Sequence, residues 1–242
     1  MPLAKIKSLK KIYADNSGVS LSGASQFADA NPECLVIFQT YENTNWWKNL
    51  PEEWKQIFLS QMNFTGIPDK IQLQQIAFLD KLIISGNIQI TDLQPVLHLS
   101  RLKQLEFTDT RISGLEVLQS MKQLKIIHMS KNPVSDLTPL SGLTGLQELD
   151  ISNTQVEELE PIQNLTNLET LKFSGTLVKN LKYLSRMVNL KVVEMYNTRV
   201  SSLDVLEPMR DLTSLKIFNT KISEKKVAKF KTTHPGCEVI FY

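Results

Sequence analysis

The sequence predicts an α/β solenoid of stacked short units. Each unit gives one strand to a parallel sheet on the concave face and 3₁₀-like turns to the convex face. Three observations lead there. A 22-residue period recurs in phase along most of the chain. Every copy divides into a half with apolar residues two apart and a half with apolar residues three apart. Prolines recur in the second half, where an uninterrupted α-helix would reject them.

The period shows on aligning LKQLEFTDTRISGLEVLQSMKQ from Leu102 with the copies that open at Leu124, Leu146, Leu168 and Leu190. A modified last copy opens at Leu212, and an earlier one at Leu79 carries one extra residue near Ile88. In the first half, pairs such as Leu105 and Phe107, or Leu149 and Ile151, alternate as a short strand with one face inward. In the second half, Ile112, Leu115, Leu118 and Met121 stand three apart. That spacing suits 3₁₀ turns, because an α-helix would rotate these residues off the core. Pro95, Pro139 and Pro161 fall in this half. A single unit cannot bury its own apolar edge, whereas stacked units can. Seven strands ~4.8 Å apart make a sheet roughly 30 Å long.

The pattern LxxLxLxx(N/T)x(I/V)xxLxxLxxL resembles the 22-residue class of the leucine-rich-repeat family, which includes bacterial internalin-like and phosphatase-regulator-like branches. The resemblance covers about residues 79–242. Where that family usually carries Asn, this chain has Asn87 and Asn132, but Thr110, Thr154, Thr176, Thr198 and Thr220 elsewhere. A Thr hydroxyl still bonds backbone in the turn, to fewer groups than Asn. The resemblance implies a protein-interaction module that binds through its concave face. A carbohydrate- or surface-binding adhesin module of a bacterial envelope protein is the alternative it leaves open. It favours a secreted or cell-envelope location over the cytoplasm. The opening residues lack a signal-peptide core, so the protein is cytosolic or its leader has been removed; the residues do not separate these.

Both ends of a solenoid need covers. After Ile222 the residues SEKKVAKFKTTHPGCEVIFY read as a helix from about Ser223, a Pro-Gly turn and a final strand, with Val227 and Phe230 on one helix face. The segment FADANPECLVIF (27–38) aligns without a gap to FKTTHPGCEVIF (230–241). Upstream, Leu9, Ile12, Asn16 and Val19 have the spacing of Leu212, Leu215, Asn219 and Ile222. Residues 1–38 are therefore read either as the end of an upstream array or as an irregular first unit. Residues 39–78 are read as a helical N-terminal cap. One helix starts at Asn49-Leu50-Pro51-Glu52-Glu53 with an apolar stripe of Leu50, Trp54, Ile57 and Phe58, and a second runs from Pro68 to Ile76. Trp46 and Trp47 either plug this cap with Trp54 or stand exposed for a sugar or peptide. Cys34 and Cys237 are read as small buried packing residues in equivalent cap positions. A bridge between them is not expected, because opposite ends of the array lie beyond the ~7 Å limit for Cα atoms.

Composition excludes several function classes. With 27 Lys and Arg against 25 Asp and Glu, the net charge of +2 gives no general attraction to nucleic acid or anionic membrane. No apolar run of 18 residues is present to insert in a membrane. Phosphate-loop, nucleophile-elbow, zincin and dinucleotide motifs are missing, so neither catalysis nor a cofactor is expected.

Candidate binding residues come from the strand register. The middle stripe of the concave face reads Ile83, Glu106, His128, Asp150, Lys172, Glu194 and Lys216. Its signs alternate from Glu106 onward, counting His128 as potentially positive. This is a mutually satisfied charge ladder, a polar recognition strip, or both at once. Glu106 and Asp150, two strands and roughly 9–10 Å apart, approach an inverting-glycosidase spacing. A flat open sheet offers neither the cleft nor the raised pKa that chemistry needs. As metal ligands, Glu106, His128 and Asp150 would be rigid and collinear, which suits tetrahedral coordination poorly. The next stripe runs Ser85, Thr108, Ser130, Ser152 and Ser174, then Tyr196 and Phe218, with Val192 on the same face. Tyr196 and Phe218 are expected either to anchor a partner or to lie under the C-terminal cap.

Overall fold

The computed structural model describes residues 8–241. They form two compact units, one of residues 1–82 with 95–102, the other of residues 83–94 with 103–242, as far as each is described.

The first unit opens with strand β1 (Lys11–Tyr13), helix α1 (Leu21–Ala30) and strand β2 (Leu35–Ile37). The two strands pair in parallel, Lys11 opposite Leu35. Ser20 caps α1 by accepting from the Gly23 N–H at 3.1 Å, and α1 buries Ala24, Phe27 and Ala28. Three helices follow: α2 (Thr40–Asn49), α3 (Glu52–Met62) and α4 (Lys70–Ala77). Sequence reading expected only the last two. Helix α2 escaped it because its buried residues are few, Asn43 and Trp47, so it has no apolar stripe to reveal a period. Helix α3 places Glu52 and Glu53 in its first turn and buries Trp54 and Phe58, as the motif predicts; Leu50 is buried and Ile57 only half-buried. Helix α4 starts at Lys70, two residues after Pro68, because Asp69 and Gln72 form a capping box.

A buried polar knot joins these pieces. The Gln74 side-chain oxygen accepts from the Phe38 N–H at 3.0 Å and from Asn43 at 3.3 Å. Asn43 Oδ1 meets His98 Nε2 at 2.6 Å, and the His98 ring stacks on Trp46 at 4.4 Å. Burial drives the His98 pKa below its ordinary value, against a smaller opposing pull from Glu42. Trp47 is 7% exposed and Trp46 half-buried. The tryptophans therefore pack the helical segment.

The repeats supply β3 (Lys81–Ile83), β4 (Gln104–Glu106), β5 (Ile126–His128), β6 (Glu148–Asp150), β7 (Thr170–Lys172), β8 (Val192–Glu194) and β9 (Ser214–Lys216). Helix α5 (Glu224–Thr233) and strand β10 (Glu238–Ile240) close the chain. Strands β3 to β10 form one eight-stranded parallel sheet in sequence order. From β4 to β9 the register is constant, Glu106 facing His128, then Asp150, Lys172, Glu194 and Lys216. The central residue of each strand points inward: Leu105, Ile127, Leu149, Leu171, Val193 and Leu215 are all 0% exposed.

The convex halves are 3₁₀ turns, for instance Glu116–Ser120, Thr138–Leu140 and Glu160–Ile162. Pro139 and Pro161 occupy the first turn of theirs, where a missing N–H breaks no internal bond. The extra residue of the first copy is absorbed in the turn at Asn87, leaving Ile88 50% exposed.

Each strand exits through a residue with positive φ: Gly86, Asp109, Lys131, Asn153, Gly175, Asn197 and Asn219. The left-handed region is cheap for Gly, Asn and Asp, which explains most of this column; Lys131 is its costly member. The next residue secures the bend. Thr154, Thr176, Thr198 and Thr220 each donate to the carbonyl three residues back, at 2.6–2.8 Å. Asn132 does more. Its amide donates to Phe107, Met129 and Ser130 carbonyls, and its oxygen accepts from both the N–H and the hydroxyl of Thr110. Thr176 is 4% exposed, so Thr176→Val would leave the Phe173 carbonyl without this bond. Urea unfolding is expected to show a loss of about 1 kcal/mol, rising toward 3 if water cannot replace the hydroxyl.

Candidate functional site

Alternation along each strand sends one side chain inward and its two neighbours outward. The outward face of β4 to β9 therefore carries parallel rows, one residue per strand. The middle row is Glu106, His128, Asp150, Lys172, Glu194 and Lys216, as the spacing predicts. Ile83 precedes it, 38% exposed.

The charge ladder is real at its C-terminal end. Glu194 lies between Lys216 at 3.2 Å and Lys172 at 3.7 Å. Its side chain is 15% exposed, so its charge is mostly withdrawn from water and held by two neighbours. Such cross-strand pairs contribute about 0.2–1 kcal/mol each. Elsewhere the alternation breaks. Asp150 turns along its own chain and accepts from the Ser152 N–H at 2.9 Å. His128 Nε2 meets Glu148 at 2.9 Å, while its Nδ1 lies 3.9 Å from Glu106. Glu148 lies outside the middle stripe, in the row two residues earlier on each strand. It stands two residues before Asp150, hence on the same face, which was the available signal.

The third row changes character along the sheet. Thr108 and Ser130 are half-buried, and Ser152 and Ser174 are buried at 8% and 0% exposure. Tyr196 and Phe218 then follow, both half-buried. Their rings stack on each other with centroids 4.3 Å apart and planes 10° apart. The strand spacing of ~4.8 Å is what allows two aromatics on neighbouring strands to lie face to face. Thus the pair is neither wholly covered by the terminal cap nor two independent anchors, but a single aromatic block. Val192, half-buried, stands on the same outward face two residues before Glu194.

Beside the block, Asn219 donates to Asn197 Oδ1 at 2.7 Å. This amide pair sits in the positive-φ column and gives the aromatics a polar margin. It could have been found from the repeated YNT and FNT triplets, but only a structure assigns these residues to the bend.

No group of three or more His, Cys, Asp and Glu among the described residues is placed to hold a metal ion. The remaining histidines are engaged in packing, His98 on Trp46 and His234 on Phe230. Both cysteines are buried and free. No helix among the described residues is long and apolar enough to cross a membrane.

Several comparisons bear on this architecture. A family model described as the leucine-rich-repeat domain of the endo-β-N-acetylglucosaminidase EndoS matches residues 69–176. The crystal structure of internalin C2 from Listeria monocytogenes superposes with a TM-score of 0.63 at 20% identity, covering 79% of this chain and 93% of that one. A leucine-rich-repeat protein of Leptospira interrogans superposes with a TM-score of 0.60 at 23% identity, over 74% of this chain and 52% of that one. The chain thus spans about half the length of the Leptospira protein. Comparison with curated protein sequences gives no match.

Proposed function

The chain is a leucine-rich-repeat protein, and from that premise we propose that it is a non-catalytic module holding a protein partner across its outward sheet face. The observation that carries this reading is the stacked pair of Tyr196 and Phe218. Partly exposed aromatics on an otherwise polar surface are the usual anchors of interfaces. Around them Val192 extends the apolar contact, while Glu194 and Lys172 on the same face, with Asp150, His128 and Glu106 further along it, serve as the polar margin that orients the partner. The ladder leaves these charges partly satisfied within the sheet, so they contribute specificity more than affinity.

A carbohydrate partner is the second reading. It is favoured by the aromatic block and by the match to a repeat domain carried by an endo-β-N-acetylglucosaminidase. The Glu106, His128 and Glu148 group is not read as catalytic, because these side chains engage one another on an open sheet.

A binding screen of the chain against immobilised proteins and against a glycan array separates the readings. Saturable binding to a protein, competed by soluble chain, is the expected result. Binding confined to glycans would transfer the site to the second reading. Hydrolysis of a substrate that disappears in Glu106→Gln would overturn the non-catalytic assignment.

A further inference from the structure

The segment β1–α1–β2 has the same conformation as β9–α5–β10. Phe27 matches Phe230, Cys34 matches Cys237 and Asn16 matches Asn219, each pair 203 positions apart. At the same offset both helices are ten residues long. The strand registers agree, Lys11 with Leu35 and Ser214 with Glu238. Backbone torsions also coincide. Asn16 has φ 56° and Asn219 φ 53°. The residue before each helix is Ser, at φ −78°, ψ 157° and φ −80°, ψ 153°. The hydrogen bonds correspond as well: Ala14 N–H to Ile37 O, as Ile217 N–H to Ile240 O; Ser17 hydroxyl to Ala14 O, as Thr220 hydroxyl to Ile217 O.

The two copies differ in what lies on the other edge. In the C-terminal copy, Thr213 and Ser214 N–H donate to Lys191 O at 2.8 and 3.1 Å, and the carbonyls of Lys216 and Phe218 accept from Met195 and Asn197. Strand β8 thus pairs with β9. Among the described residues β1 has no such neighbour, for its sheet consists of β1 and β2. The apolar positions record the same difference. Leu215 is 0% and Ile222 4% exposed. Their counterparts are Ile12, half-buried, and Val19, 44% exposed. An open strand edge flanked by uncovered apolar residues is an unfinished solenoid end.

We propose that the outer edge of β1 is a docking surface for a preceding leucine-rich repeat of the same polypeptide, so that residues 9–38 end one array before the next begins. The occupant is a parallel strand with an inward Leu or Ile, stacked on Ile12 and Val19 as the Leu190 repeat stacks on Leu215 and Ile222. The proposed occupant is a further 22-residue unit that precedes residues 9–38 in the same polypeptide.

Amide hydrogen exchange at Lys10 and Lys11, the counterparts of Thr213 and Ser214, tests this. It is measured in the product of the complete gene and in the 242-residue chain. The expected result is exchange at least ~100-fold slower in the complete product, at every protein concentration. Equal exchange in both would overturn the proposal, as would a reading frame with no repeat before Met1. Protection that rises with concentration, with dimers in sedimentation, would also overturn it by making a second copy the occupant.

Discussion

Replacing Tyr196 and Phe218 together by alanine is expected to weaken partner binding at least about 100-fold while leaving the fold intact. Aromatic hot spots cost about 2 kcal/mol or more each, and 1.4 kcal/mol is tenfold in affinity. Two independent anchors of about 2 kcal/mol each would then give roughly 700-fold. These are not independent, because their rings touch at 4.3 Å and contacting residues couple. Removing either ring uncovers a face of the other, so each single variant is expected to lose more than half of the combined effect in free energy. Surface plasmon resonance on the partner recovered from the screen provides the measurement. Thr108→Ala and Ser130→Ala, in the same row but away from the block, serve as controls expected to change affinity less than threefold. Unaltered binding by the double variant would remove the aromatic block from the site.

The second large effect concerns stability. Phe173 is 0% exposed and follows β7, so its side chain fills the interior of a central repeat. Phe173→Ala is expected to destabilise the array by about 3–5 kcal/mol, the ordinary range for opening a cavity of that size. Each repeat contacts mainly its neighbours, so the loss is expected to be localised. Hydrogen exchange should accelerate first in the repeats opening at Leu146, Leu168 and Leu190. Helix α5, two repeats beyond Leu168, should respond later. The urea midpoint and site-resolved exchange together measure this. A loss below about 1 kcal/mol would mean that the neighbours collapse into the cavity.

Much of the repeat region was legible because its period is enforced locally. Every unit meets the same neighbour in the same way, so the inward Leu, Ile and Val must return every 22 residues, and the register follows by counting. Hence the middle row from Glu106 to Lys216 and the proline-tolerant turns were readable directly. The C-terminal helix was readable too, through Val227 and Phe230, which its packing buries.

Where no period acts, the sequence was less informative. Helix α2 buries an asparagine and a tryptophan in place of a stripe. Its Asn43 is meaningful only beside Gln74 and His98, distant partners that a local pattern cannot identify.

The candidate site divides along the same line. Sequence alone determined which residues share the outward face, because alternation along a strand and a constant repeat leave no other register. Tertiary structure decided what those residues do to one another. Glu194 is held by two lysines, Asp150 turns back to its own backbone, and His128 reaches Glu148 instead of Asp150. Rotamers and distances of a few ångströms settle such choices, and a 22-residue period is silent about them. The stacking of Tyr196 on Phe218 is of this kind: their row was countable, but their contact depends on the spacing of strands in a folded sheet.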